Sequence, residues 1–175
     1  MRRGVEGFSM NNRTKLWLAL TMVGITGGLV GIVLTELLHF VQHHAYGYAL
    51  DGGHQSCREG VEAAAPLRRF YALLACGVAA GWWLLKRYGK PLVGIKASLA
   101  KPLAGLPFAA TVGHALLQIV TVGLGSPLGR EVAPREMTAA FASLWVRRLG
   151  LDEDGARLLI ACASGAGLAA VYNVP

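Results

Sequence analysis

The fold of this chain is decided at residues 125–136, which read GSPLGREVAPRE. The apolar run Leu103–Gly129 ends within this stretch. It contains no acidic residue, lysine or arginine and therefore predicts a long apolar helix. The two glycines and the first proline of the quoted stretch break that helix. A second helix is expected to begin near Glu131–Pro134, because proline is favoured in the first turn of a helix.

Because the break follows a long apolar run, it is compatible with membrane depth, where irregular backbone is tolerated only in protein or beside a cavity. The first turn of the new helix would present free N–H groups and the positive end of the helix dipole, which suit an anion. Glu131 would supply a carboxylate that can occupy or vacate this place. The alternative interpretation is an ordinary interfacial loop, in which Glu131 is only a favourable helix N-terminal charge.

The composition excludes an ordinary water-soluble domain. Among the 175 residues, apolar types (AVILMFWYC) make up 54%, charged types 15%, and the mean hydropathy is +0.45. Soluble domains carry about 25% charged residues, and disordered chains are poor in apolar ones. The 23 glycines suit closely packed membrane helices. We therefore expect an integral membrane protein, forming one domain or one piece of a larger domain.

Further apolar runs predict the other membrane helices. The first, Leu16–Leu38, carries one charge, at Glu36, and is long enough to cross a bilayer core. A signal peptide would have a shorter apolar core, of about 7–15 residues. The stretch Gly89–Lys101 is too charged to span and predicts a re-entrant or interfacial half-helix, whereas Arg130–Arg148 is a charged, proline-broken segment. The remaining apolar runs are Phe70–Leu85 and, after acidic residues that suit a helix N-terminus, Leu158–Val174.

Glycines spaced four residues apart predict close helix packing. Such spacing lets a second helix approach the backbone, although glycine is also simply frequent in membrane helices. The pairs are Gly24 with Gly28, Gly27 with Gly31, and Gly77 with Gly81.

The net charge of +7 is best explained by membrane topology. The N-terminal tail, residues 1–15, holds four basic residues and Lys86–Lys101 holds five, whereas the polar loop His43–Leu67 holds Arg58 against three acids. Cytoplasmic segments carry the excess of Lys and Arg, so we expect a cytoplasmic N-terminus, an external loop and a place in the cell (inner) membrane. No basic stripe with interleaved aromatic residues is present, which argues against nucleic acid.

The sequence offers no pattern for metal, cofactor or enzyme chemistry. The three cysteines lack metal-ligand spacing. Glu36 and His39 have the Glu-x-x-His spacing of di-iron bundles, but no second pair exists, and an interfacial cluster with His43 and His44 explains them better. The glycines near residue 125 lack the Gly-Lys-Ser/Thr ending of a phosphate-binding loop.

Two motifs resemble the CLC family of chloride channels and chloride/proton antiporters. Gly129-Arg130-Glu131 and the proline-bearing helix start resemble the family's Gly-Arg/Lys-Glu-Gly-Pro. Residues 164–175, SGAGLAAVYNVP, resemble its later segment Ala-Ala-Gly-Leu-Ala-Ala-Ala-Phe-Asn-Ala-Pro. From Leu16 to Lys101 the likeness is one of helix pattern, not of motif.

The resemblance implies an all-α membrane bundle with broken helices, one half of an inverted-repeat fold. Residues 1–15 would be a cytoplasmic tail, and residues 16–175 the N-terminal half of the transmembrane domain. It implies transport of chloride or another small anion, by a channel or a proton-coupled antiporter, and a homodimer in the bilayer for the full-length protein. Glu131 would be the gate, with Arg130 and Gly129 in the same anion path.

The chain departs from the family at the anion site. Val132-Ala133 stand where the family has Gly-Pro, and the proline comes one place later, at Pro134. The family's Gly-Ser-Gly-Ile-Pro, whose serine binds the central anion, is absent. The sequence at about the right place is Gly89–Val93, where Lys90 would replace the serine. Lys90, Val132 and Ala133 are therefore possible pore-lining residues, although for Lys90 the interpretation as a cytoplasmic positive-inside residue without a pore role is preferred.

A second hypothesis comes from another class, a small membrane scaffold or assembly subunit without transport of its own. It predicts that 175 residues are the complete product and that the glycine faces serve helix association. The transporter hypothesis predicts that the chain is about half of a two-repeat subunit. The nucleotide sequence after Pro175 separates the two, since the transporter requires a second set of apolar helices.

Overall fold

The computed structural model describes residues 10–47 and 57–172, which form helices and connecting turns and contain no strand. This confirms the all-helical class. The helices of the described ranges, in chain order, are α1 Met10–Tyr46, α2 Cys57–Ala63, α3 Pro66–Lys86, α4 Ile95–Ala100, α5 Phe108–Gly123, α6 Val132–Leu149 and α7 Glu153–Tyr172.

The first helix is longer than its apolar run. It crosses the predicted boundary between residues 15 and 16, because α1 already begins at Met10, and residues 1–9 of the expected tail lie outside the described part. The prediction of a polar loop over His43–Leu67 is wrong in part, because α1 continues to Tyr46 and α2 forms within it. An Arg58–Glu62 pair at i,i+4 spacing, 2.8 Å apart, supports α2. Residues 48–56 of that loop lie outside the described ranges.

The predicted break after the third apolar run is confirmed. Helix α5 ends in a Schellman motif, in which the N–H of Gly125 donates to Val122 O and that of Ser126 to Thr121 O, both at 3.0 Å. Gly125 has φ +103°, a conformation that L-residues with a Cβ rarely adopt. A Cβ there would also lie 2.6 Å from the Tyr46 hydroxyl, so the break is packed against the end of α1.

Helix α6 starts where the sequence predicted but runs further than expected. The interpretation of Arg130–Arg148 as a proline-broken segment is wrong, because α6 is continuous from Val132 to Leu149. Pro134 is its third residue, where the missing N–H has no intrahelical acceptor to lose. Arg147 and Arg148 lie in its last turn, where positive charge suits the helix dipole.

The remaining predicted elements appear with changed bounds. Helix α3 contains the run Phe70–Leu85, whereas only Ile95–Ala100 of the expected half-helix at Gly89–Lys101 is helical. Helix α7 contains Leu158 to Tyr172 and begins with Glu153 and Asp154 as N-terminal charges. Residues 173–175 of the second motif lie outside the described part.

Helices α6 and α7 form the centre of the bundle, with α1 packed across both and α5 against α6 and α1. The contact between α6 and α7 is made by small side chains, which bring the two backbones close together. The fully buried alanines that these two helices contribute to the core cluster, which also includes Ala19 of α1, are Ala139, Ala140, Ala142, Ala156 and Ala163. A second apolar cluster joins α1, α5 and the start of α6, and includes Leu34, Ile119 and Ala133.

The predicted packing glycines fall into two groups. A Cβ added at Gly27 would lie 3.4 Å from the Ala166 Cβ, and one at Gly31 only 2.6 Å from the Ala170 Cβ, so both face α7. The other four would meet no atom within 4 Å and lie on outward faces: Gly24, Gly28, Gly77 and Gly81.

By length and apolar composition, two helices of the described ranges are able to cross a membrane, Arg13–Tyr46 and Glu153–Tyr172. Only 33% and 39% of their apolar windows are buried, so most of each faces outward. Helix α5 is apolar but shorter. Helix α3 is long enough, but it does not reach the same hydropathy, because Arg68-Arg69, Lys86 and Trp82-Trp83 reduce its mean value.

Candidate functional site

Glu131 lies directly before α6, at the N-cap position, with φ −76° and ψ −30°. The first-turn N–H groups of Val132 and Ala133 have no acceptor within the helix, and Pro134 has no N–H. The Glu131 side chain makes no capping hydrogen bond to them. The helix N-terminus is therefore left to another acceptor, and the carboxylate turns elsewhere.

The Glu131 carboxylate turns toward the end of α7. Its Oε1 accepts a hydrogen bond of 2.8 Å from the Tyr172 hydroxyl. Its Oε2 lies over Gly129, where an added Cβ would collide with it. Glycine at position 129 thus provides the space that this carboxylate position needs.

Arg130 completes the contact with α7. Its guanidinium lies over the Tyr172 ring, 5.4 Å from the ring centroid, a distance at which a cation and an aromatic ring attract. The structure therefore brings Gly129, Arg130 and Glu131 of the first motif together with Tyr172 of the second.

Helix α5 holds the break from its other side. Gln118 Nε2 donates to the Gly129 carbonyl at 3.3 Å. Gln118 and His114 also line an apolar cavity of about 370 Å³ between α3 and α5, which Trp83 and Val132 border. The Trp83 and His114 rings stack with centroids 6.1 Å apart.

The other predicted pore-lining residues lie in different surroundings. Val132 is exposed toward this cavity, whereas the Ala133 side chain is fully buried between α1 and α5. Lys90 is exposed in the turn after α3, and its N–H donates to Arg87 O at 2.8 Å. Within the described ranges, no hydrogen bond or ion pair joins Lys90 to Glu131.

Sequence reasoning missed two residues of the site, Tyr172 and Gln118. The signal for Tyr172 was present, because tyrosine stands where the resembling motif has phenylalanine. Gln118 carried only a weak signal, a polar side chain in an otherwise apolar run. In the described part of the chain, no group of three or more His, Cys, Asp or Glu side chains is placed to hold a metal ion.

Comparison with known proteins agrees with the two motifs. The family model described as "Voltage gated chloride channel" matches residues 76–175. Proteins named "Voltage-gated ClC-type chloride channel ClcB" from Yersinia pestis and from Yersinia pseudotuberculosis serotype O:1b (strain IP 31758) are each 33% identical over 70 residues. The matched segment covers 40% of this chain and 17% of each relative's length. No solved structure matches the chain.

The family match covers more than half of the chain, from the middle of α3 through both motifs. It confirms the resemblance drawn from residues 125–136 and 164–175. The chain belongs to the voltage gated chloride channel family.

Proposed function

We propose that the protein carries chloride or a similar small anion across the membrane, as a channel or a proton-coupled antiporter, with Glu131 as its gate. The observation that carries the proposal is the Glu131 carboxylate held 2.8 Å from the Tyr172 hydroxyl, directly before an α6 N-terminus that it does not cap. The first-turn N–H groups are thereby free to donate to an anion.

In the proposed mechanism, anion and carboxylate compete for the same N–H groups. An anion binds at Val132 and Ala133 while the Glu131 carboxylate lies over Gly129. When the carboxylate turns onto the helix N-terminus, it satisfies those donors itself and excludes the anion. In an antiporter, protonation would release Glu131 from this place and let it carry the proton.

Charge supports a cytoplasmic N-terminus. The N–H of Leu106, just before α5, donates to Ser143 of α6. Arg157, near the start of α7, donates to the carbonyl of Leu99 in α4. These two hydrogen bonds bring the four helices together at one end of the bundle. The N-terminal part of α1 packs at this end as well, because Ala19 belongs to the same buried apolar cluster as Leu106. This end therefore gathers cations, which face the cytoplasm in inner-membrane proteins. They include Arg13, Lys15, Lys96, Lys101, Arg147, Arg148 and Arg157.

We propose that residues 16–175 supply the N-terminal half of a two-repeat domain, whose full-length form is a homodimer. The cavity beside Val132 supports this, because a second repeat could cover its apolar wall. Because Lys90 is exposed in the turn after α3, it is better explained as a basic residue of a cytoplasmic segment than as a residue that lines the pore. Val132 and Ala133 would contribute to the pore through backbone N–H groups.

The scaffold hypothesis keeps one supporting observation. Four glycines on outward faces, including Gly24 and Gly77, leave open space in which a partner helix could approach. A scaffold would tolerate any change at Glu131, whereas a transporter would not.

The test is anion efflux from liposomes containing the full-length protein. Glu131→Ala and Glu131→Gln are each expected to change chloride flux and its dependence on pH. Glu153→Gln is a matched control, because it removes an exposed carboxylate that pairs with Arg157 at the start of α7, the opposite end of that helix from Tyr172. Flux that stays unchanged at every pH in both Glu131 variants would exclude the gating role.

A further inference from the structure

We infer that Tyr172 is a positioning residue that holds the Glu131 carboxylate away from the α6 N-terminus. The first-turn N–H groups of α6 thereby stay free to bind an anion. The inference rests on the proposed gating role of Glu131. It adds a second donor site to the gate: the carboxylate can accept from the Tyr172 hydroxyl or from the first-turn N–H groups.

The geometry supports this choice of donors. The Tyr172 hydroxyl donates to Glu131 Oε1 at 2.8 Å, an ordinary length for an O–H···O hydrogen bond. Glu131 makes no capping bond to α6, although it lies at the N-cap position. The carboxylate is thus bound to the tyrosine instead of the helix.

The tyrosine ring is itself held in place. Arg130 lies over it at 5.4 Å, and Gly129 leaves the room that the carboxylate needs beneath it. Tyr172 is 42% exposed, so its position depends on these contacts more than on burial. Three consecutive residues of the first motif therefore define one conformation of the gate.

The hydroxyl is a feature of this chain. The resembling family segment has phenylalanine in the place of Tyr172, and phenylalanine keeps the ring but has no donor. A family member with phenylalanine at this position lacks the hydroxyl that donates this hydrogen bond to the glutamate. Tyr172→Phe therefore removes the proposed function of the hydroxyl without changing the shape of the ring.

The experiment is a double-mutant cycle on the full-length protein in liposomes and detergent. Chloride efflux and the chloride concentration for half-maximal binding are measured for Tyr172→Phe, Glu131→Ala and the double variant. Without the hydroxyl, the carboxylate competes more often for the helix N-terminus. We expect Tyr172→Phe to weaken chloride binding and to lower efflux by about three- to tenfold, which is the effect of losing one ordinary hydrogen bond. In the Glu131→Ala background the same change should have no effect.

Two further variants separate the hydroxyl from the ring and from general effects. Tyr172→Leu removes both hydroxyl and ring, and should match Tyr172→Phe if the hydroxyl is what matters. Tyr88→Phe is the control, because Tyr88 is 88% exposed after α3 and its hydroxyl loss should leave binding unchanged.

The outcomes distinguish this inference from the proposed function. If Glu131→Ala leaves efflux and binding unchanged, the gating role itself fails. If Glu131→Ala changes them but Tyr172→Phe does not, the gate stands and the positioning role of Tyr172 is overturned. An equal effect of Tyr172→Phe with and without Glu131 would also overturn it, because the tyrosine would then act independently of the carboxylate.

Discussion

Gly167 of α7 lies directly against Thr138 of α6. A Cβ added at Gly167 would be 2.5 Å from Thr138 Oγ1 and equally 2.5 Å from the carbonyl oxygen of Pro134. The threonine hydroxyl donates to that same carbonyl at 2.7 Å. This contact lies at the third residue of α6 and five residues before Tyr172, so it holds together the ends of the two helices at which Glu131 and Tyr172 meet.

Substitution of this glycine should separate the two helices. Gly167→Ala is expected to lower the free energy of unfolding by about 1–3 kcal/mol, because an added methyl group overpacks a tight contact. The measurement is the melting temperature of the purified protein in detergent. Gly165→Ala is the matched control, since Gly165 is exposed on the same helix with no atom within 4 Å of an added Cβ. Equal melting temperatures for the two variants would contradict the contact.

A second pair of glycines tests the packing of α1. Gly31→Ala is expected to destabilise the protein by about 1–3 kcal/mol, because its Cβ would lie 2.6 Å from the Ala170 Cβ. Gly28→Ala should be neutral or stabilising by up to about 1 kcal/mol, because alanine favours helix and the site is open. The measurement is the thermal unfolding of both variants. A larger loss of stability in Gly28→Ala than in Gly31→Ala would contradict this packing and show that another helix covers the Gly28 face.

These glycines mark what the sequence could and could not predict. The break at residues 125–129 and the α6 start were predictable, because glycine and proline act locally on the backbone. Four-residue spacing identified Gly27 and Gly31 equally with Gly24 and Gly28, but which face meets α7 depends on tertiary packing. The bond from Tyr172 to Glu131 joins residues 41 apart, so no local pattern contains it.

Helix α2 was missed for a related reason. Residues 57–63, CREGVEA, are too short and polar for a periodic apolar signal. The helix contacts α1, and Val61 packs beside the buried Tyr46 and Ala64, so burial against α1 outweighs a weak local preference.

The Tyr46 hydroxyl, which anchors the break to α1, provides the last test. It donates to Leu124 O at 2.8 Å, at the last carbonyl before Gly125. Tyr46→Phe should reduce the free energy of unfolding by about 1 kcal/mol, because a partly buried hydrogen bond is lost. Hydrogen exchange should also quicken locally at the amides of Gly125 and Ser126, which close the α5 Schellman motif. Tyr71→Phe is the control, because Tyr71 is 59% exposed on α3. Unchanged exchange at Gly125 and Ser126 would mean that their own hydrogen bonds to α5 hold the break without the tyrosine.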